Sequence, residues 1–349
     1  MKTINIENYQ IGNSHPPFII AEAGINHNGE IDKAFKMIEI AKSCGANAIK
    51  FQTFTAEELV GDPNLTYTYT SQGKEITESM LEMFKRYQFT RQQWFEIKKK
   101  CDQEQIVFLS SPSSKSDLDL LLDLGIKAIK VGSDDFTNIP LLKEYSLTGL
   151  PLILSSGMSN LQEIKDTVNS IKKTNDYPLV LLICTSEYPT PAENVNLLKF
   201  NTIHNSFEFP LGFSDHTQGS LASSLAVSFG ACVFEKHFTL NQNLPGPDHW
   251  FSENPEGLKN WIDYIKKSYL MMGNGNVEPT ETEQQMKKIA RKSIVVLRDI
   301  KKNEILDRKK IGIKRPGNGL PPNMFEKIIG KKTTRDLIKN ELLKEEDYS

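Results

Sequence analysis

Lys50 and Lys130 are the two residues of this sequence that most need a chemical explanation. Lys50 sits inside the apolar run "AIKFQTF" and Lys130 inside "AIKVGSDD". An ammonium withdrawn from water into such surroundings is costly unless an opposite charge meets it. An anionic ligand is the expected partner, with a structural carboxylate as the alternative. Hydroxyls stand at Ser133, three residues past Lys130 on the same run, and at Ser155 and Ser214 on two others. They could complete a phosphate cradle by donating hydrogen bonds where the lysines supply charge. His216 in "GFSDHT", two residues past Ser214, and His237 in "FEKHFTL" also close apolar runs. Two imidazoles converging from adjacent strands can hold a divalent metal with water positions left open, a Lewis-acid site. No third protein ligand is obvious. Without a metal, the pair would act as acid and base or hydrogen-bond to loops. Asp215 and Glu235 fit the metal reading better, since carboxylates beside a metal can orient its ligands.

Such residues converge only if the elements beneath them are arranged to bring them together. Apolar, β-rich runs occupy residues 18–24, 48–54, 106–112, 128–135, 151–158, 179–189, 211–217 and 232–239. Between them lie segments with helical spacing, such as "IDKAFKMIEIAKSCG" and "NLQEIKDTVNSIKK", which end in Gly or Lys as helix C-termini commonly do. Eight strand and helix units predict a parallel α/β barrel, (β/α)8, and nearly continuous strand hydrophobicity is what a sheet covered on both faces requires. Glu22, Lys50, Ser111, Lys130, Ser133, Ser155, Tyr188, Ser214, His216 and His237 then all fall at or just past C-terminal strand ends. Barrel enzymes keep their active sites on that face.

The 349 residues, 38% hydrophobic and 25% charged, suffice for a barrel of about 250 residues and a smaller second domain. The formal charge of -2, from 42 basic and 44 acidic residues, gives no electrostatic footprint for nucleic acid or an anionic membrane. No basic-then-apolar leader opens the chain, and no apolar run approaches the roughly 18 residues of a spanning helix, so a cytoplasmic protein is expected. Cys44, Cys101, Cys184 and Cys232 lack metal or redox spacing, which fits free thiols in a reducing compartment. "MMGNGNVEPTETEQQ" has linker composition. The expected layout is a catalytic barrel at 1–272, a linker at 273–286 and a compact module at 287–349. Arg315 stands in the turn-rich "KRPGNGLPP", where a guanidinium could clamp an anionic or polyhydroxylated ligand. The final "KNELLKEEDYS" reads as a charged, frayed terminus.

Beyond chemistry and pattern, "IIAEAGINHNG", "IKFQTF", "IKVGSDDFTNIPLL", "LSSGMSN", "CTSEYPTP", "GFSDHT", "FEKHFTL", "GPDHWFS" and "IKRPGNG", in that order, closely resemble the bacterial sialic acid (nonulosonic acid) synthase family. That family includes N-acetylneuraminate synthase and its legionaminic and pseudaminic acid relatives. The resemblance spans nearly the whole chain and implies that the C-terminal module is an antifreeze-like (SAF) domain. It implies condensation of phosphoenolpyruvate with an N-acylated mannosamine-type aldose, with a divalent metal, Mn2+ or Mg2+, to polarise the aldehyde. By the same resemblance Lys50, Ser111, Lys130, Ser133, Ser155, Ser186 and Ser214 bind phosphoenolpyruvate. His216 and His237 hold the metal, and Glu22 is the catalytic carboxylate. Gln52, Tyr188 and Asp248 contact the sugar, and Arg315 arrives from the partner subunit of a domain-swapped homodimer.

The sequence departs from the family at three places. "FLSSPSS" puts Ser113 where a phenylalanine is common, "GSDDFTN" puts Asp134 and Asp135 where a glycine-glutamate pair is common, and residues 62–79 do not match the family pattern for a substrate-contacting asparagine. These changes bear on the identity of the sugar. Two alternatives remain at this level: a phosphoenolpyruvate-dependent 3-deoxy-octulosonate or heptulosonate phosphate synthase, and a sugar-binding barrel without catalysis.

Overall fold

The computed structural model describes residues 3–174 and 177–349. The chain forms two compact units, Met1–Gly273 and Asn274–Ser349. In the first, eight parallel strands form one sheet: β1 (Phe18–Gly24), β2 (Ala48–Thr53), β3 (Val107–Pro112), β4 (Ile129–Val131), β5 (Leu152–Ser155), β6 (Leu179–Ile183), β7 (Leu211–Ser214) and β8 (Ala231–His237). Their spatial order is β3-β2-β1-β8-β7-β6-β5-β4, and the end strands β3 and β4 lie side by side. The expected (β/α)8 barrel is present.

Alternation along each strand decides where the site sits. In β1, Phe18 and Ile20 join a core inside the barrel with Val107, Leu109, Val180 and Leu182. Ile19, Ala21 and Ala23 join the larger core between sheet and helices. One step further along the inward rows stand Glu22, Lys50, Ser111, Lys130, Ser155, Ser214 and Glu235. The polar site therefore caps the apolar column inside the barrel. At the opposite end, the antiparallel pair Ile4–Ile6 and Tyr9–Ile11 packs Ile4, Ile6 and Ile11 onto that column.

The helix Ile31–Cys44 shows why these segments fold as they do. Ala34, Met37, Ile38 and Ala41 recur on one buried face, and Gly45 ends the helix in a left-handed conformation (φ 92°), its N–H bonded to the carbonyls of Ala41 and Lys42.

One local feature has no counterpart in the sequence reading, and two differ from it. Residues 62–79 contain an antiparallel hairpin, Thr66–Ser71 with Lys74–Ser79, turned by Gln72 and Gly73 at φ 51° and 73°. Inside the expected linker begins a helix, Glu281–Ala290, capped reciprocally by Thr280 and Glu283. The C-terminus is not frayed: Ser349 N–H bonds the Lys332 carbonyl at 2.9 Å, and Asp347 is buried against Arg335 at 2.7 Å. Arg335 pairs with both Asp347 and Glu341, which composition alone does not reveal. In this second unit, strands Ser293–Val296 and Ile311–Lys314 pair antiparallel over a core that includes Ile294, Val296, Ile300 and Leu306. Among the described residues no helix is long and apolar enough to cross a membrane.

Candidate active site

Both strand lysines meet carboxylates. Lys50 Nζ lies 2.7 Å from Glu22 Oε1, each almost fully buried. Lys130 Nζ lies 3.6 Å from Glu235 Oε1 and donates to Ser155 Oγ at 2.7 Å and to the Val131 carbonyl at 2.9 Å. The structural carboxylate, the lesser alternative at the level of sequence, is thus present for each lysine. Burial pushes the Glu22 carboxyl up to about 7, against the pull of Lys50. For Glu235 burial acts in the same direction, but the Lys130 and Lys50 charges outweigh it and hold that carboxyl below its ordinary value. Burial lowers Lys130.

Hydroxyls surround this charge cluster. Ser155, accepting from Lys130, keeps its O–H free to donate. Ser214 Oγ donates to Glu235 Oε1 at 3.1 Å. Ser133 Oγ accepts from Gly157 N–H at 3.1 Å and touches Cys184 Sγ at 3.2 Å. Among the described residues, Ser111 Oγ and Ser186 Oγ are buried with no hydrogen-bond partner. Orphaned buried donors are costly unless something enters to satisfy them. A methyl added at Gly157 would stand 2.3 Å from Ser186 Oγ and 2.6 Å from Ser133 Oγ, so the absence of a side chain there lets the hydroxyls converge. Gly157 lies within the quoted "LSSGMSN", but nothing in its spacing marked it as a site residue.

The histidines converge as expected. Their ring centroids are 5.7 Å apart. His216 Nδ1 lies 2.7 Å from the Thr185 carbonyl; a carbonyl only accepts, so Nδ1 carries the hydrogen and the lone pair is on Nε2, 3.3 Å from Ser214 Oγ. His237 Nδ1 is buried without a hydrogen bond among the described residues and lies 3.9 Å from Asp248 Oδ2. Burial brings His216 down to about 4 and His237 well below its ordinary value, so both are neutral near pH 7. Neutral imidazoles, one with its tautomer fixed and one with an orphaned nitrogen, are a donor set suited to a divalent cation. Among the described residues no group of three or more His, Cys, Asp or Glu forms a metal cluster; the two imidazoles are the nitrogen donors that these strand ends bring together. Tyr188 covers the pair, 4.1 Å from the His216 ring and 5.1 Å from Phe251.

Gly24, at φ 50°, marks a third convergence. A methyl there would stand 3.3 Å from Glu22 Oε1, 3.6 Å from Asp248 Oδ2 and 3.7 Å from Gln52 Nε2. Burial raises Asp248 to about 6. The loop bearing Asp248 is tied to the hairpin at residues 66–79: Gly246 N–H donates to Ser71 Oγ at 3.1 Å and Gln72 Nε2 to the Asn243 carbonyl at 2.9 Å. Of the two unusual aspartates, Asp134 adds its charge to the field at Lys50, whereas Asp135 accepts from Asn138 at 3.0 Å, at the start of the helix Ile139–Ser146. Arg315 is exposed in the second unit, directly after the strand Ile311–Lys314.

The NeuB family model matches residues 37–277 and the SAF domain model residues 291–349. The chain belongs to the NeuB family. The N,N'-diacetyllegionaminic acid synthase of Legionella pneumophila is 37% identical over 331 residues, covering 93% of each chain. That of Campylobacter jejuni is 39% identical, covering 94% of this chain and 98% of its own. The crystal structure of the N-acetylneuraminic acid synthetase of Leptospira borgpetersenii, in complex with citrate, superposes with a TM-score of 0.74 at 33% identity, over 82% of this chain and 95% of that one. As a NeuB-family member similar to these synthases over most of its length, the protein is an enzyme.

Proposed function

We propose that this NeuB-family enzyme condenses phosphoenolpyruvate with an N-acylated mannosamine-type aldose, giving a nonulosonic acid and inorganic phosphate. The observation that carries this reading is one barrel mouth holding two buried lysines and unsatisfied hydroxyls beside two neutral imidazoles. Lys50 and Lys130, with Ser111, Ser133, Ser155, Ser186 and Ser214, bind the phosphate and carboxylate of phosphoenolpyruvate. The trianion draws the lysines away from Glu22 and Glu235, and the orphaned hydroxyls gain acceptors. His216 and His237 would hold Mn2+ or Mg2+, which when bound supplies Lewis acidity toward the aldehyde oxygen.

Glu22, with its carboxyl lifted to about 7, can take up and return a proton near neutral pH. Gln52, Tyr188 and Asp248 orient the open-chain sugar so that its aldehyde carbon faces the enol carbon. A carbon-carbon bond forms there; water adds to the resulting cationic centre, and phosphate leaves with cleavage of its carbon-oxygen bond. The names of the relatives at 37% and 39% identity favour 2,4-diacetamido-2,4,6-trideoxymannose over N-acetylmannosamine as acceptor. The working protein is a cytoplasmic homodimer in which Arg315 of one copy completes the barrel mouth of the other.

The test is phosphate release from phosphoenolpyruvate with Mn2+, offered each of the two sugars in parallel, with and without a chelator. Chelator-sensitive release with the diacetamido sugar is expected. Release with N-acetylmannosamine alone would reassign the acceptor, and no release with either would overturn the reading.

A further inference from the structure

Behind the two imidazoles lies a buried ion pair that the chemistry above does not use. Asp215 and Lys236 immediately precede His216 and His237, and by strand alternation they point to the opposite face, into the layer between barrel and helices. That layer holds the larger apolar core. Lys236 Nζ lies 3.1 Å from Asp215 Oδ2, with side chains 2% and 0% exposed. A charge pair in such a place is weak evidence for stability, because well-packed apolar residues of similar volume serve as well or better.

Its connections suggest another role. Asp215 Oδ1 accepts from both the N–H and the hydroxyl of Thr217, at 2.9 and 2.7 Å, and Lys236 Nζ donates to the Thr217 carbonyl at 2.5 Å. The residues on either side of His216 are thus held from the neighbouring strand. Asp215 Oδ2 also accepts from Ser223 Oγ at 2.6 Å and Trp261 Nε1 at 3.3 Å, which anchors the pair to the helices Leu221–Ser228 and Pro255–Met272. Asp215 N–H continues the sheet ladder to the Glu235 carbonyl at 2.8 Å.

We propose that Asp215 and Lys236 are positioning residues that fix the ends of β7 and β8 against each other and so set the spacing at which His216 and His237 receive a divalent cation. The proposal rests on the assignment of the two histidines as cation ligands. Neither Asp215 nor Lys236 reaches the cation itself; each acts through the backbone of the adjacent histidine.

The test is Mn2+ binding without substrates, read from the free-ion electron paramagnetic resonance signal, alongside melting temperature. The Asp215→Leu/Lys236→Met double variant replaces the pair by apolar residues; it should stay folded and bind Mn2+ at least tenfold more weakly. Trp261→Phe keeps the packing and removes one donor to Asp215, and should weaken binding about threefold, which keeps the idea testable if the double variant fails to fold. Wild-type affinity in Trp261→Phe together with wild-type affinity in a folded double variant, while His216→Ala has lost Mn2+, would overturn the positioning role and leave the ligand assignment intact. Wild-type affinity in Trp261→Phe alone, should the double variant not fold, would also overturn it. No Mn2+ binding by the wild type would remove the ligand assignment and this inference together.

Discussion

His237 carries a sharp expectation because its Nδ1 is buried without a hydrogen bond. His237→Ala should leave phosphoenolpyruvate binding within a few-fold of wild type and lower turnover by roughly 10³-fold, the scale of losing a Lewis acid. Single-turnover phosphate release beside equilibrium binding of phosphoenolpyruvate separates the two, and retained turnover would show that the residue is no ligand. Gly157 makes the complementary case for the anion. A methyl group placed 2.3 Å from Ser186 Oγ must displace the hydroxyls of the cradle. Gly157→Ala should raise KM for phosphoenolpyruvate about tenfold, close to 1.4 kcal/mol, while KM for the sugar stays unchanged; equal effects on both would point to a general disturbance of the mouth.

Among the elements, the helix Lys115–Asp123 that follows β3 has a pH dependence that can be worked out in sign. Ser114 caps it, accepting from Asp117 N–H at 3.2 Å and donating to Asp117 Oδ2 at 2.7 Å. Burial raises the Asp117 carboxyl from 3.8 to about 6. A carboxyl raised in the native state binds its proton before the unfolded chain does, so its burial penalty is present above about pH 6 and is relieved as the pH falls toward 4. Relative to Asp117→Asn, the wild type should therefore gain melting temperature between pH 7.5 and 5, and a difference independent of pH would contradict the shift. Ser114→Ala, removing the cap and the hydrogen bond to the Asp117 carboxylate, should cost about 1 kcal/mol at pH 5 and more at pH 7.5, where that carboxylate is ionised, checked by urea unfolding at both.

For the whole molecule the question is whether one copy holds a complete site. If Arg315 serves the barrel of a second copy, Arg315→Ala and Glu22→Gln should each be nearly inactive alone. Their mixture, after subunit exchange, should regain up to about a quarter of wild-type activity, because half of the dimers are hybrids and each hybrid has one intact mouth. Assay of the mixture against each variant alone decides it, and no recovery would place Arg315 with its own barrel or outside the site.

Much of this protein is written locally. Strand hydrophobicity, helical spacing and Gly45 at a helix end predict the barrel because each follows from short-range sterics and from burial on two faces. The inward row ending in Glu22, Lys50 and Lys130 follows from alternation alone. The polar side chains that gather at the barrel mouth were legible for the same reason, since a charged or hydroxyl side chain at the end of an apolar strand has one face to occupy. Residue contacts set by three-dimensional closure were not legible. That Lys50 pairs with Glu22 and Lys130 with Glu235 depends on which strands become neighbours when the sheet closes. Gly157 matters only because Ser133 and Ser186 arrive from other strand ends, and Asp215 meets Lys236 only once β7 and β8 align. Sequence spacing fixed which residues share a face of their own strand; the partners they meet across strands were decided by the register and closure of the barrel, which are properties of the whole chain.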